Sequence, residues 1–163
     1  MEIIELRPDH WEDVRTIYLH GIATKQATFQ TDAPSWEDWD KGHLSELRYV
    51  ALIDGVVAGW AVLSPVSSRC VYAGVTEVSV YIHESYRSKG VGKVLLQKLI
   101  TESEANNIWT LQSGIFPENV ASIALHEKLG FRTIGYREKV GKMDGIWRDT
   151  VLMERRSKIT GQD

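Results

Sequence analysis

Hydrophobic and polar positions in the first third of the chain follow strand-like and then helix-like spacing. The apolar run at residues 3–6 predicts a short strand. Asp9 and Glu12 form a reciprocal capping pattern before apolar positions with helical spacing, which predicts a helix ending near Gly21. Ser35 can cap a second helix, which we expect to reach about Leu47.

The middle of the chain carries the clearest hairpin pattern. YVALIDGVVAGWAVLS at residues 49–64 contains two β-rich runs joined by Asp54 and Gly55, a pair suited to the positive φ angles of a tight turn. VTEVSVYI at residues 75–82 predicts another strand. A glycine-rich turn then leads into a helix of about residues 90–106.

The last third of the chain predicts three strands and one helix. WTLQSGI at residues 109–115 is typical of a strand, and residues 119–128 predict a helix that Gly130 closes. Two further strands are expected around residues 133–137 and 147–153. This order predicts an α/β or α+β fold with a mixed sheet of about seven strands, flanked by about four helices.

Composition and charge narrow the function classes. The 163 residues include 43 % apolar types and show no change of composition along the chain, so we expect a single domain over residues 1–163. The formal charge of −3 gives no general reason to bind nucleic acid or an anionic membrane. An anion site would therefore be a local arrangement of charge and backbone dipoles.

The cysteine count and the N-terminus indicate where the protein works. Cys70 is the single cysteine, which excludes an internal disulfide and a multi-cysteine zinc site, and no metal is expected. MEIIELRPDH lacks the basic start and apolar run of a signal peptide, and no apolar run approaches the roughly 20 residues of a membrane span. A soluble, cytoplasmic protein is the expectation.

The glycine-rich turn in YRSKGVGKVLL, residues 86–96, has the features of an anion site. Strand, turn and helix follow one another, so free N–H groups and the helix dipole point toward a ligand. Arg87, Lys89 and Lys93 add positive charge, and the whole suits a pyrophosphate. A nucleotide P-loop would need glycine at position 87 and a hydroxyl residue at Val94, and a dinucleotide fingerprint would need glycine at Leu95.

The form R-x-x-G-x-G at residues 87–92 resembles motif A of the GNAT acetyltransferases. NVASIALHEKLGF at residues 119–131 resembles the second signature of that superfamily, in the expected order. ATFQTDAPSWEDW, RCVY, TEVSVYI and GKMDGIWRDTVLM are similar to the phosphinothricin acetyltransferase subgroup. The resemblance covers residues 3–153 and implies a GNAT-like fold, with acetyl-CoA as cosubstrate.

The resemblance also implies which residues contact acetyl-CoA. Backbone amides of the turn would hold the pyrophosphate, and the end of the preceding strand would run beside the pantetheine chain like an added strand. Asn119 opens the next helix and can meet the same chain, although a plain N-cap with Ser122 at N3 is the alternative. The expected cofactor-binding residues are Val80, Tyr81, Ile82, Arg87, Ser88, Lys89, Gly90, Val91, Gly92, Lys93, Asn119 and Ser122.

Two residues are candidates for proton transfer. Alternation along residues 76–82 places Glu77 with Ser79 and Tyr81 on one face, and Glu77 matches the glutamate of the subgroup, so we expect it to take the proton of the amine. A surface ion pair is its alternative. His126 matches the histidine that the subgroup has where many GNAT enzymes carry a tyrosine that protonates the thiolate, or it only packs.

The acceptor side is less fully specified. Phe29 and Tyr72 match motifs of the subgroup, and Arg69 could bind an acceptor carboxylate or phosphinate, or lie in solvent. The leading hypothesis is N-acetylation of a small amino-acid-like amine such as phosphinothricin or methionine sulfoximine, by a homodimer. A protein N-terminus, polyamine or aminoglycoside is the alternative acceptor, and an acyl-CoA-binding regulatory module is the non-catalytic alternative.

Overall fold

The computed structural model describes all of residues 1–163, and one sheet runs through it. Its seven strands and four α-helices have the following bounds: β1 Glu2–Glu5, α1 Trp11–Ala23, α2 Trp36–Lys41, β2 Tyr49–Ile53, β3 Val56–Pro65, β4 Val75–Ile82, α3 Val91–Ala105, β5 Thr110–Ile115, α4 Val120–Lys128, β6 Arg132–Met143 and β7 Ile146–Arg156. No helix combines the length and the apolar character needed to span a membrane.

The strands lie in the order β1-β2-β3-β4-β5-β7-β6. All neighbours are antiparallel except β4 and β5, which are parallel. The predicted mixed sheet of seven strands with four helices is therefore confirmed. The parallel pair has a helical crossover, because α3 lies between its two strands in the chain.

Helices cover both faces of the sheet. The central strand β3 is therefore buried on both sides, which explains why its sequence is apolar almost throughout. Ala61 and Leu63 pack into the cluster that includes α3, whereas Trp60 and Val62 pack into the cluster that includes α1 and α2. The indole N–H of Trp60 donates to the carbonyl of Val14 at 3.1 Å, which ties α1 to the sheet. A central strand buried on both faces therefore lacks the alternation of apolar and polar residues that a half-exposed strand has.

Two tight turns close the hairpins. Asp54 and Gly55 have φ angles of 50° and 78°, which confirms the predicted turn between β2 and β3. Asp144 and Gly145 repeat this geometry with φ angles of 51° and 78° between β6 and β7. The two strands that this turn joins, β6 and β7, are longer than predicted and form one long hairpin.

The second helix is shorter than predicted, and Arg48 supplies the reason. Ser35 caps α2 as expected, since its hydroxyl accepts from the N–H of Asp38 at 3.2 Å. The helix ends at Lys41, however, because the buried guanidinium of Arg48 donates to the carbonyls of Asp40, His43 and Leu44. Arg48 thus supplies the hydrogen bonds that further helical turns would otherwise give these carbonyls. The prediction that the helix reaches Leu47 was therefore wrong.

Candidate active site

The parallel pairing of β4 and β5 ends early. Only three residue pairs are in register, and the last joins Glu77 to Gln112. β4 nevertheless continues to Ile82 and stays paired with β3 along that whole length. The two strands therefore separate beyond Glu77 and leave a cleft in the sheet.

The backbone of β4 directs unpaired groups into this cleft. The N–H of His83 donates to the carbonyl of Ala58, on the β3 side, at 2.8 Å. Because successive N–H groups of a strand point in opposite directions, those of Ile82 and Val80 point away from β3. They face the side from which β5 has separated, as an added strand or an oxyanion would require.

A cavity of about 940 Å³ opens at this separation. It extends between the two strands, the loop after α1, the start of α4 and the β6–β7 hairpin. Seven of the residues predicted for the site line it: Phe29, Glu77, Val80, Tyr81, Asn119, Ser122 and His126.

Glu77 lies on the cavity wall with an exposed side chain. Its carboxylate accepts a hydrogen bond from the side-chain amide of Gln112 at 3.3 Å, and no cation pairs with it. Ser64, its register partner on β3, lines the same cavity. A carboxylate whose partner is a neutral amide still has oxygen lone pairs with which to accept a proton.

His126 is a buried imidazole with one free nitrogen. Its side chain is 4 % exposed, and its Nδ1 lies 2.7 Å from the carbonyl oxygen of Ser122. Donation from Nδ1 leaves Nε2 as an acceptor, and this buried atom has no hydrogen-bond partner. Burial lowers the pKa of His126, against a smaller opposing effect of the Ser122 carbonyl. The neutral ring can therefore accept a proton or hydrogen bond from a bound molecule.

Asn119 connects the start of α4 to the loop after α1. Its side-chain oxygen accepts from the N–H of Ser122 at 3.3 Å, so it caps the helix. Its amide donates to the carbonyl of Gln26 at 3.1 Å. The N-cap interpretation is thus confirmed, and the residue also holds one wall of the cavity in place.

The glycine-rich turn presents a row of free amides. None of the backbone N–H groups of residues 89–93 donates to a carbonyl of the chain. Gly90 has a φ of 80°, in the left-handed region that favours glycine, and α3 begins at the next residue. At Gly92 a Cβ atom would lie 3.1 Å from the side chain of Leu125. Free amides at the positive end of a helix, beside Arg87 and Lys89, fit a pyrophosphate.

Arg69 and Tyr72 do not join this cavity within one chain. They lie in the exposed loop between β3 and β4, where the guanidinium carbon of Arg69 lies 5.6 Å from the centre of the Tyr72 ring. Neither residue lines the cavity. Phe29, by contrast, lines the cavity with its ring 4.9 Å from that of Phe116.

Sequence reasoning missed the residue that fixes the loop after α1. Arg148 on β7 donates to the carbonyl of Lys25 at 2.9 Å and to the side chain of Gln26 at 3.0 Å, and its guanidinium lies 4.0 Å from the ring centre of Phe116. Lys25 and Gln26 lie more than 120 residues away from Arg148 in the chain. No local pattern can signal such a contact.

Comparisons with known proteins agree with this geometry. Residues 3–131 match the family described as Acetyltransferase (GNAT) family. The phosphinothricin N-acetyltransferase of Streptomyces viridochromogenes is 31 % identical over 160 residues, which are 93 % of this chain and 87 % of that protein. The L-methionine sulfoximine/L-methionine sulfone acetyltransferase of Salmonella typhimurium is 36 % identical over 111 residues, which are 66 % of this chain and 65 % of that protein.

A solved structure shows the same fold with a bound cosubstrate. The GNAT superfamily phosphinothricin acetyltransferase from Sinorhizobium meliloti, in complex with acetyl-CoA, superposes with a TM-score of 0.86 at 27 % identity, over 99 % of this chain and 94 % of that one. The chain therefore belongs to the GNAT acetyltransferase family. It is an N-acetyltransferase with acetyl-CoA as its cosubstrate, which confirms the family, fold and cosubstrate that the motifs predicted.

We expect the imidazole of His126 to titrate below the value of about 6.5 that an ordinary histidine has. The folded protein then binds fewer protons at His126 than the unfolded chain. This residue therefore makes the free energy of unfolding fall as the pH drops below about 6.5. Phe131→Ala should raise the pKa toward the ordinary value, because the Phe131 ring lies 4.9 Å from the imidazole. An NMR titration of both proteins measures this, and an unshifted wild-type midpoint would contradict it.

Proposed function

We propose that the protein acetylates the amino group of a small amino-acid-like acceptor such as phosphinothricin or methionine sulfoximine. The observation that carries this proposal is the position of Glu77. Its carboxylate lines the cavity at the point where β4 and β5 separate, with an amide and no cation as its partner. The names of the two relatives support the acceptor class.

The proposed acetyl-CoA site consists mainly of backbone N–H groups that have no partner within the chain. When bound, acetyl-CoA supplies an activated acetyl thioester. The amides of the turn at residues 87–93 bind its pyrophosphate, and Arg87, Lys89 and Lys93 contribute charge. Residues 80–82 pair with the pantetheine chain through the edge of β4 that β5 leaves free, and Asn119 with Ser122 forms the opposite wall.

Proton transfer is divided between the two sides of the cavity. Glu77 accepts the proton of the incoming ammonium, directly or through water, because only the free amine has a lone pair for attack. The N–H groups of Val80 and Ile82 are the candidates for stabilising the charge that develops on the carbonyl oxygen. His126 is the candidate for protonating the thiolate. Because its resting form is neutral, its Nε2 must first take up a proton, and the attacking nitrogen releases one when the amide bond forms.

We also propose that the protein forms a homodimer. Exposed apolar side chains lie along the β6–β7 hairpin, where Tyr136 is 60 % exposed and Trp147 is 54 % exposed. β6 is also an edge strand, so this hairpin is the proposed homodimer surface. We further propose one acetyltransferase domain over residues 1–163, acting in the cytoplasm.

An acceptor panel tests the proposed function. We expect thiol release from acetyl-CoA with phosphinothricin and methionine sulfoximine, and much slower release with spermidine or short peptides. Release can be followed with a thiol-reactive dye, with mass spectrometry of the acetylated product as the control for hydrolysis. Preference for a peptide or polyamine would replace the acceptor class, and no release with any amine would favour a binding module.

Glu77→Gln tests the proposed base. At neutral pH we expect kcat/KM to fall by about 10²- to 10³-fold. The loss should shrink as the pH rises, because the acceptor amine then loses its proton to solvent. Glu127→Gln, an exposed glutamate on α4, is the matched control and should act like the wild type. An unchanged rate at neutral pH, with the same pH profile, would remove Glu77 from this role.

Gly90→Val tests the pyrophosphate turn. A β-branched residue at a φ of 80° costs about 1–3 kcal/mol in backbone strain. If that strain distorts the row of amides, the Kd for coenzyme A should rise by about 5- to 100-fold in calorimetric titration. Gly55→Val is the matched control, because Gly55 has a φ of 78° and equally open surroundings but lies in the β2–β3 turn. Equal affinities in the two variants would contradict this site.

A further inference from the structure

We infer that Arg137, on β6, binds an anionic oxygen group of the acceptor. This inference rests on the proposed function, because it concerns the acceptor of that reaction. It assigns to Arg137 the role that sequence reasoning gave to Arg69, which the structure leaves outside the cavity.

The charges around the cavity single out Arg137. Three carboxylates line the cavity, those of Asp32, Asp38 and Glu77, whereas Arg137 is the one arginine or lysine that does so. Its guanidinium makes no ion pair and no hydrogen bond within the chain. An acceptor with a carboxylate or phosphinate would otherwise meet only like charge, and a free guanidinium fork matches either group.

The register of the sheet places Arg137 on the same face as Glu77. Glu77 pairs with Gln112, which pairs with Glu154 on β7, and paired residues share a face. Alternation along β7 puts Thr150 on that face as well. Thr150 pairs with Arg137 and lines the cavity. The proposed base and the proposed anion-binding residue therefore lie along one continuous surface.

A bulge in β6 begins directly after Arg137. Between Arg137 and Gly141 the strand β6 has three residues where β7 has only Asp149 between Thr150 and Arg148. The carboxylate of Asp149 accepts from the N–H of Lys139 at 2.7 Å and from the hydroxyl of Tyr136. These hydrogen bonds fix the bulge, and bulges beside a site redirect side chains. Asp149 therefore fixes the backbone beside Arg137.

Arg137→Met tests the inference with three acceptors. Methionine sulfoximine carries a carboxylate, its carboxamide derivative does not, and phosphinothricin carries both a carboxylate and a phosphinate. We expect the KM for an acceptor whose anion Arg137 binds to rise by about 10- to 100-fold. The KM for acetyl-CoA should stay the same. A rise with both amino acids but not with the carboxamide identifies the carboxylate, and a rise with phosphinothricin alone identifies the phosphinate.

The controls use the same strand and the same charge. Arg132→Met removes an exposed arginine of β6 that pairs with Glu154, and it should leave every KM unchanged. Arg137→Lys should recover part of the affinity, because it keeps the charge but loses the fork. Unchanged KM values in Arg137→Met, or an equal rise with the carboxamide, would overturn the inference.

A binding measurement separates this inference from the proposed function. Methionine sulfoximine and phosphinothricin are titrated calorimetrically into the wild type and Arg137→Met, each with coenzyme A present. If the wild type binds one of them and the variant binds it about 10-fold or more weakly, the inference holds even where no turnover is seen. Equal binding to the two proteins, or no binding of either acceptor to the wild type, would overturn it.

Discussion

The short parallel contact between β4 and β5 is the constraint on which the site depends. Three residue pairs join the strands, and beyond Glu77 and Gln112 they part. Each strand remains anchored on its outer side, β4 by β3 and β5 by β7, so the cleft is held open by the rest of the sheet. A sheet normally satisfies its backbone groups by pairing, and here the fold withholds that pairing at one place.

Several polar groups of the described elements have no partner within the chain. They include the amides of residues 89–93, the Nε2 atom of His126 and the inward N–H groups of Val80 and Ile82. The Nε2 atom of His126 is buried, and a buried polar group left unpaired costs about 1–3 kcal/mol, so a ligand that satisfies this atom stabilises the fold. The turn at residues 89–93 is largely exposed, so water satisfies its amides until a ligand binds there. Free amides at the start of α3 and at the free edge of β4 agree with the acetyl-CoA cosubstrate that the family uses.

The cavity walls outside β4 and β5 are built from parts that are distant in the chain. Arg148 fixes the loop after α1 through Lys25 and Gln26, and Phe29 in the same loop packs against Phe116. The β6–β7 hairpin supplies the remaining wall.

The sequence alone predicted local turns and helix caps, but it did not predict which distant residues come together. The Asp54–Gly55 turn, the caps at Ser35 and Asn119 and the glycine-rich turn before α3 depend on φ preferences and on contacts three residues apart, so the chain predicts them locally. Strand order, register and burial depend on contacts between distant segments. They decided that Arg48 ends α2, that Gln112 holds Glu77, that His126 is buried and neutral, and that Arg137 rather than Arg69 lines the cavity.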